Sequence, residues 1–191
     1  MGRLNMDLAS VWRFWIVWVL FSGTLSLGCE RLQLQQVLNR ETLRKLNEMG
    51  GPFPRQCVKE RLSLKTKSLN LVKLSGGLQN QDRIQIVHQT LRHFIKIYSM
   101  NLGSVTWPQD KVENFRLLLD RQLEELEECV KKPGSESRPR RNAAIHRYFR
   151  KLRKFLKQKR FSDCAWEMIR AETRARLQQI LFITAQIRRR N

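Results

Sequence analysis

The sequence predicts an all-α protein that folds as a five-helix bundle. Apolar residues recur at spacings of three and four in five separate segments, the pattern of a helix with one buried face. No alternation of apolar and polar residues is long enough to predict a β-strand. Four cysteines, an even number, add the expectation of two disulfide bonds if the chain is exported.

Residues 1–28 have the composition of a signal peptide. Two arginines supply positive charge beside a short apolar run, and Ser26 and Gly28 are the small residues that a signal peptidase requires. The run is shorter than the ~20 residues needed to span a bilayer. We therefore expect residues 29–191 to be exported as one soluble domain. Its net charge is +19, because residues 1–28 carry +1 of the chain's +20.

Residues 34–49 are predicted to form the first helix, with Leu43, Leu46 and Met49 on its buried face. Asn39 is a residue type that favours the N-cap position and is expected to cap the start of this helix. Glycines and prolines follow at once and end it.

Residues 50–80 show no sustained period, and this segment is long for a loop inside a compact domain. Such a length is required when two consecutive helices of a bundle run parallel, because the chain must cross from one end of the bundle to the other. The segment therefore indicates a long first crossover loop between two helices that run parallel.

Three further helices are predicted before the last one. Residues 81–98 carry an apolar stripe, and Pro108 stands where the first turn of the next helix tolerates proline. Residues 131–142 contain prolines, a glycine and basic residues, which predicts a linker. The fourth helix follows, with Ile145, Phe149, Leu152 and Leu156 on its apolar face and Tyr148 and Phe155 beside them.

Ser162 and Asp163 can cap the start of the last helix, which no glycine or proline interrupts. Its buried stripe is predicted to be Trp166, Ile169, Thr173, Leu177, Ile180, Thr184 and Ile187. The opposite face carries Glu167, Arg170, Arg174 and Gln178. We expect that face to be exposed, so that loss of Arg170 would leave stability unchanged.

The start of this helix resembles the last helix of the type I interferons. Residues 164–167 read Cys-Ala-Trp-Glu and residues 170–172 read Arg-Ala-Glu, the run that marks this family. QDRIQIVHQTLRHFIKIYS resembles the family's second helix, residues 107–130 resemble its third, and AIHRYFRKLRKFLKQKRFSDC resembles its fourth helix and the loop that follows. The basic composition and the end of the signal peptide suggest a kappa-like subtype.

Spacing alone leaves three pairings of the four cysteines open. The resemblance implies the bridges Cys29–Cys129 and Cys57–Cys164, because the family links its first cysteine to its third and its second to its fourth. It also implies the five-helix up-up-down-down cytokine bundle with a long first crossover loop.

By this resemblance the protein is a secreted cytokine that binds the two transmembrane chains of the interferon alpha/beta receptor. It would activate Janus kinase/STAT signalling and induce an antiviral state. The expected contacts with the high-affinity receptor chain are Val58, Arg61, Arg170, Ala171, Arg174 and Gln178. The expected contacts with the low-affinity chain are Ile95, Lys96, Met100, Lys111, Arg116, Asp120 and His146.

One position departs from the family pattern. The family often has an arginine where this chain has Ala175, between Arg174 and Arg176. Each neighbour is turned about 100° away from that position on an ideal helix. The receptor contact is therefore expected to be re-registered or weaker here.

The high positive net charge supports a second hypothesis. In this hypothesis the protein is secreted and binds a polyanion, either heparan sulfate or nucleic acid. Residues 138–160 contain eleven Lys or Arg residues and no acid. Export favours a cell-surface glycan over nucleic acid. The candidate polyanion contacts are Arg147, Arg150, Lys151, Lys154 and Lys157.

An enzyme is not expected, since the sequence has no HExxH, GxSxG or glycine-rich phosphate loop. The cysteine spacing does not suit zinc. We therefore expect no cofactor, metal or small-molecule substrate. We also expect a monomer without membrane insertion, because a folded bundle would already cover the apolar face of the fourth helix.

Overall fold

The computed structural model describes residues 31–64, 68–130 and 139–188, which contain helices and no strand. The long helices are α1 (Arg31–Gly50), α4 (Asn80–Tyr98), α5 (Gln109–Val130), α6 (Pro139–Gln158) and α7 (Asp163–Arg188). A 3-10 turn (Arg55–Cys57) and two short helices, α2 (Val58–Ser63) and α3 (Leu71–Ser75), lie in the crossover. None of the described helices is long and apolar enough to cross a membrane. The predicted signal peptide lies outside the described residues.

Contacts along the helices give the directions of the bundle. Asn39 and Gly50 of α1 meet Leu177 and Arg170 of α7, so these two helices are antiparallel. Contacts near both ends of α4 show that this helix is antiparallel to α7 and to α5, because the start of α4 meets the end of each of them. The segments that follow α4 and α6 also meet, so α6 runs parallel to α4. It is the fifth long helix, in addition to the four that define the topology. The helices α1, α4, α5 and α7 therefore form the predicted up-up-down-down arrangement.

One predicted boundary was wrong. Pro139 already begins α6, because a proline is tolerated in the first helical turn, where its missing N–H leaves no hydrogen bond unmade. Residues 131–138 of the predicted linker lie outside the described residues. The crossover is also partly helical, and Asn70 caps α3 by accepting a 2.8 Å hydrogen bond from the backbone N–H of Lys73.

The core is a continuous apolar cluster in which aromatic rings join the helices. Tyr98 of α4 contacts Phe115 of α5 at 4.8 Å and Trp166 of α7 at 5.7 Å between ring centroids. Phe94 of α4 contacts Phe149 of α6 at 5.3 Å. The aromatic residues predicted beside the stripe of the fourth helix are all buried, which confirms them as core.

A polar layer crosses this core where Asn39 was expected to cap a helix. That prediction was wrong: Asn39 lies inside α1, fully buried, and its Nδ2 donates to the Leu177 carbonyl at 2.9 Å. Gln35 donates to the Gln122 carbonyl at 2.7 Å, and Gln122 donates to the Thr42 hydroxyl at 2.6 Å. These directional bonds fix the register of α1 against α5 and α7.

The disulfide Cys57–Cys164 joins the crossover to the start of α7 over a sequence separation of 107 residues. Closing a loop of this length stabilises the fold by ~4–5 kcal/mol in the chain-entropy treatment. Cys129 is buried near the end of α5. Cys29 lies outside the described residues, so the bridge Cys29–Cys129 stays a prediction.

Replacing Asn39 with Ala should lower the free energy of unfolding by about 1–3 kcal/mol, since it removes a buried hydrogen bond and leaves a small cavity. Asn47→Ala on the exposed side of the same helix should change it by less than about 0.5 kcal/mol. Denaturant unfolding of both variants checks this, and equal losses would contradict a specific role for the polar layer.

Candidate functional site

The positions on α7 that the family resemblance singles out lie around one surface groove. Arg170, Ala171, Arg174 and Gln178 line a cavity of about 290 Å³ together with Gly51, Phe53 and Ala175. Ala171, Arg174 and Gln178 are exposed. We call this feature the α7 groove. One wall is α7 and the other is the chain immediately after α1.

Arg170 was expected to be exposed, and that expectation was wrong. Its side chain is buried, as is that of Glu167, with 5% and 3% of their surfaces exposed. Arg170 Nε and Nη2 donate to Glu167 Oε2 at 3.0 and 2.7 Å. Two charges this deeply buried persist because each satisfies the other. The structure therefore places Arg170 beneath the α7 groove, as part of its floor.

The Glu167–Arg170 pair also holds two other segments. Trp107 Nε1, in the loop before α5, donates to Glu167 Oε1 at 2.6 Å. Arg170 Nη2 lies 3.4 Å from the carbonyl oxygen of Gly50. A Cβ atom at residue 50 would lie 2.5 Å from Arg170 Nε and 2.8 Å from Trp107 Nε1, so only glycine fits there without displacement.

The two arginines beside Ala175 have different surroundings. Arg176 is buried, donates to the Leu69 carbonyl and lies 5.7 Å from the centroid of the Tyr148 ring. It thereby anchors the crossover to α7 and α6. Arg174 is exposed at the α7 groove, so only Arg174 is available for a re-registered contact.

The two positions expected in the crossover lie on α2, which packs beside α7. Val58 is 52% exposed and Arg61 is also exposed. The preceding residue, Cys57, is bonded to α7 by the disulfide, and Glu60 forms a 2.8 Å ion pair with Lys159 after α6. The N-terminal half of this short helix is thus tied to the bundle at two points.

The positions expected to contact the low-affinity chain fall on α4, the loop after it, α5 and α6. Ile95, Arg116 and Asp120 share a small depression of about 20 Å³ between α4 and α5. Ile95, Lys96 and His146 line a larger cleft between α4 and α6. Neither depression includes Met100 or Lys111, which are partly buried.

That larger cleft has a volume of about 840 Å³. Arg92 and Lys96 of α4 and Arg147 and Arg150 of α6 line it, and no carboxylate of the described residues does. We call it the basic cleft. Gln89, His93, Asn142 and His146 are among its other polar lining residues.

His93 lies at the wall of the basic cleft and was not among the contacts predicted from the sequence. Its ring stacks on Phe149 at 4.8 Å and meets the edge of His146 at 5.5 Å. Burial, assisted by the charge of Arg153, lowers the pKa of His93 to about 4. The His93 ring is therefore neutral at pH 7 and adds no positive charge to the cleft.

The candidate polyanion contacts on α6 are all exposed: Arg147, Arg150, Lys151, Lys154 and Lys157. At 1.5 Å and 100° per residue they span about 15 Å along the helix and about a third of its circumference. We call them the basic ridge. The tyrosine and phenylalanines of α6 face the core instead.

Comparison with known proteins decides the family. The family model described as the interferon alpha/beta domain matches residues 32–187. The chain belongs to the interferon alpha/beta family. Human interferon alpha-21 (Homo sapiens) is 32% identical to this interferon over 158 residues, covering 80% of this chain and 82% of that protein. Interferon alpha-A of Bos taurus is 29% identical over 174 residues, covering 86% and 90%.

A solved structure agrees with this placement. Zebrafish interferon 1 superposes with a TM-score of 0.72 at 30% identity, covering 83% of this chain and 99% of that one. The protein is therefore an interferon-like cytokine and not an enzyme. The kappa-like subtype and the individual receptor contacts stay predictions.

Arg170→Ala should lower the free energy of unfolding of this interferon by about 3 kcal/mol, because the Glu167 carboxylate would stay buried without its charge partner. Arg174→Ala, one turn further along α7 and exposed, should change it by less than about 0.5 kcal/mol. Thermal and denaturant unfolding measure both. A stable Arg170→Ala variant would contradict the structural role of the pair.

Proposed function

We propose that this interferon is secreted as a monomer and signals by bringing together the two transmembrane chains of the interferon alpha/beta receptor. Janus kinases bound to those chains would activate STAT proteins, and the cell would enter an antiviral state. The observation that carries the proposal is the family match across residues 32–187, together with two accessible surfaces on different helices of one bundle.

The α7 groove, with α2 beside it, is the proposed site for the high-affinity receptor chain. Arg174 and Gln178 stand at its edge, and Val58 and Arg61 are accessible on α2. Guanidinium groups on such a surface suit an acidic partner, since they accelerate encounter and form paired hydrogen bonds with carboxylates. Arginines that become desolvated on binding are frequent hot spots.

Arg170 has a different part in this site. It is buried beneath the groove and links Glu167 to the end of α1. Its effect on binding would therefore come mainly through the shape of the groove, by keeping residues 50–53 against α7. Arg174 takes its place as the leading candidate for a direct charged contact.

The low-affinity receptor chain would bind across α4, α5 and α6. Ile95 offers a partly buried apolar centre, and Lys96, Asp120 and His146 surround it with exposed polar groups. An apolar centre with a polar rim is the usual composition of a transient interface. Because the two sites share no helix, one molecule could hold both chains at once.

Arg174→Ala and Arg61→Ala should each weaken binding to the isolated high-affinity ectodomain by about tenfold or more, with unchanged melting temperatures. Lys151→Ala, an exposed cation on another face, should leave this binding unchanged. Surface plasmon resonance measures affinity, and a reporter of interferon-responsive transcription, with and without a receptor-blocking antibody, measures signalling. Reporter activity that persists under blockade would overturn the proposal.

A second function, retention on cell-surface heparan sulfate, is favoured by one observation. The basic ridge presents five exposed cations along a single helix and no acid among them. Such a row attracts a linear polyanion and releases its counterions. The buried aromatics of α6 leave the ridge without Tyr or Phe platforms for stacked bases, which favours a sulfated glycan over nucleic acid.

Retention on a heparin column should shift to lower salt when Lys151, Lys154 and Lys157 are all replaced by Gln, since three charge contacts are lost. A triple variant that replaces three exposed cations of other surfaces, Arg40, Lys59 and Lys73, by Gln has the same net charge and serves as the control. Equal elution of the two variants would mean that only total charge matters, which would remove the ridge as a site.

A further inference from the structure

The basic cleft stands apart from the basic ridge in one respect, because its cations come from two helices. Arg92 and Lys96 on α4 face Arg147 and Arg150 on α6 across a cavity of about 840 Å³. No salt bridge to a carboxylate involves any of these four within the described part of the chain. Among the described side chains, none of the four therefore has a carboxylate at ion-pair distance.

Four positive charges around one concavity repel each other, and low-dielectric walls concentrate their field. An anion placed between the helices would relieve this repulsion. Three of the four groups are guanidinium groups, whose paired N–H donors match the oxygens of a tetrahedral anion better than an ammonium does. The neutral His93 ring at the wall leaves the cations as the charged groups that an anion would meet.

The cleft and the ridge are continuous, because Arg147 and Arg150 belong to both. A linear polyanion lying along the ridge would therefore extend directly into the cleft. An exported protein meets such polyanions mainly as sulfated glycans, so the occupant that fits is a sulfate group carried by a glycan chain.

The cleft also overlaps the surface proposed for the low-affinity receptor chain. Ile95, Lys96 and His146 line the cleft and are among the positions expected to contact that chain. The α7 groove shares no lining residue with the cleft. A ligand in the cleft would thus obstruct one receptor site and leave the other open.

We infer that the basic cleft clamps a sulfate group of a glycan held on the basic ridge, and that its occupation excludes the low-affinity receptor chain. The inference rests on the proposed receptor and glycan functions. A glycan-held molecule would still bind the high-affinity chain, and assembly of the signalling complex would require its release from the glycan. Retention and signalling then alternate at one surface.

The test uses the full exported chain and a fully sulfated heparin octasaccharide as the probe. Arg92→Gln addresses the cleft alone, because Arg92 belongs neither to the ridge nor to the predicted receptor contacts, and Arg40→Gln on α1 is the matched control. Calorimetry at physiological ionic strength should show that Arg92→Gln weakens octasaccharide binding by about fivefold, as expected for one charge contact. Both variants should melt at the wild-type temperature.

Competition is measured with the two receptor ectodomains separately. The saturating octasaccharide should reduce binding of the low-affinity ectodomain by about tenfold, as for a directly competing ligand at about ten times its dissociation constant. Binding of the high-affinity ectodomain should change by less than about twofold. Chemically desulfated octasaccharide should not reduce the binding of either ectodomain.

The outcomes separate the claims. If the octasaccharide fails to bind the wild type, the proposed glycan function fails and the clamp with it. If it binds but Arg92→Gln behaves like Arg40→Gln, the clamp is overturned while the ridge stands. If Arg92→Gln does weaken octasaccharide binding but both ectodomains still bind in the presence of the octasaccharide, the exclusion of the low-affinity receptor chain is overturned. Equal binding of a single-stranded oligonucleotide would overturn the assignment to a sulfated glycan.

Discussion

The buried carboxylate of Glu167 is the group on which the structure around the α7 groove depends. It accepts from Trp107 and from Arg170, and Arg170 in turn reaches the end of α1. One carboxylate thus connects the loop before α5, the last helix and the chain that leaves α1. A charge buried this deeply is tolerated only when all of its partners are present, so these three segments are constrained together.

The position of α7 explains why such a group is needed. This helix packs against α1, α4 and α6 and also against both short helices of the crossover. It is therefore covered on most of its circumference, and polar side chains at its margins must find partners within the protein. Arg176 meets the same requirement by donating to the crossover backbone at Leu69.

The positions of the five long helices could be predicted from the sequence because each helix buries one face. Burial of one face requires apolar residues at intervals of three and four, and that pattern is visible in the sequence. The placement of Glu167 and Arg170 could not be predicted, since a charged residue at the margin of a stripe was assigned to solvent by its type. Their spacing of three was a signal of an ion pair, without indicating burial. The prediction that Asn39 caps a helix was wrong for a related reason. Its hydrogen-bond partner, the Leu177 carbonyl, is 138 residues away in the sequence, so no local pattern indicates the contact.

The candidate surfaces show the same division. Exposure of Arg174, Gln178 and the basic ridge follows from helical geometry, and these positions lie where the sequence predicted them. The far wall of the α7 groove is formed by Gly51 and Phe53. They belong to a segment whose apolar residues show no helical periodicity, so their position could not be predicted. The basic cleft depends on how α4 and α6 pack, which neither helix specifies by itself.

The disulfide at Cys57 has a consequence for recognition. Because the neighbouring Val58 and the helix that carries Arg174 are tied to each other covalently through Cys164, both segments keep the same relative position before and after an encounter. Little conformational entropy is then lost on docking, and more of the contact energy remains available as affinity. A covalent link that stabilises the fold thus also pre-organises the surface proposed for the receptor.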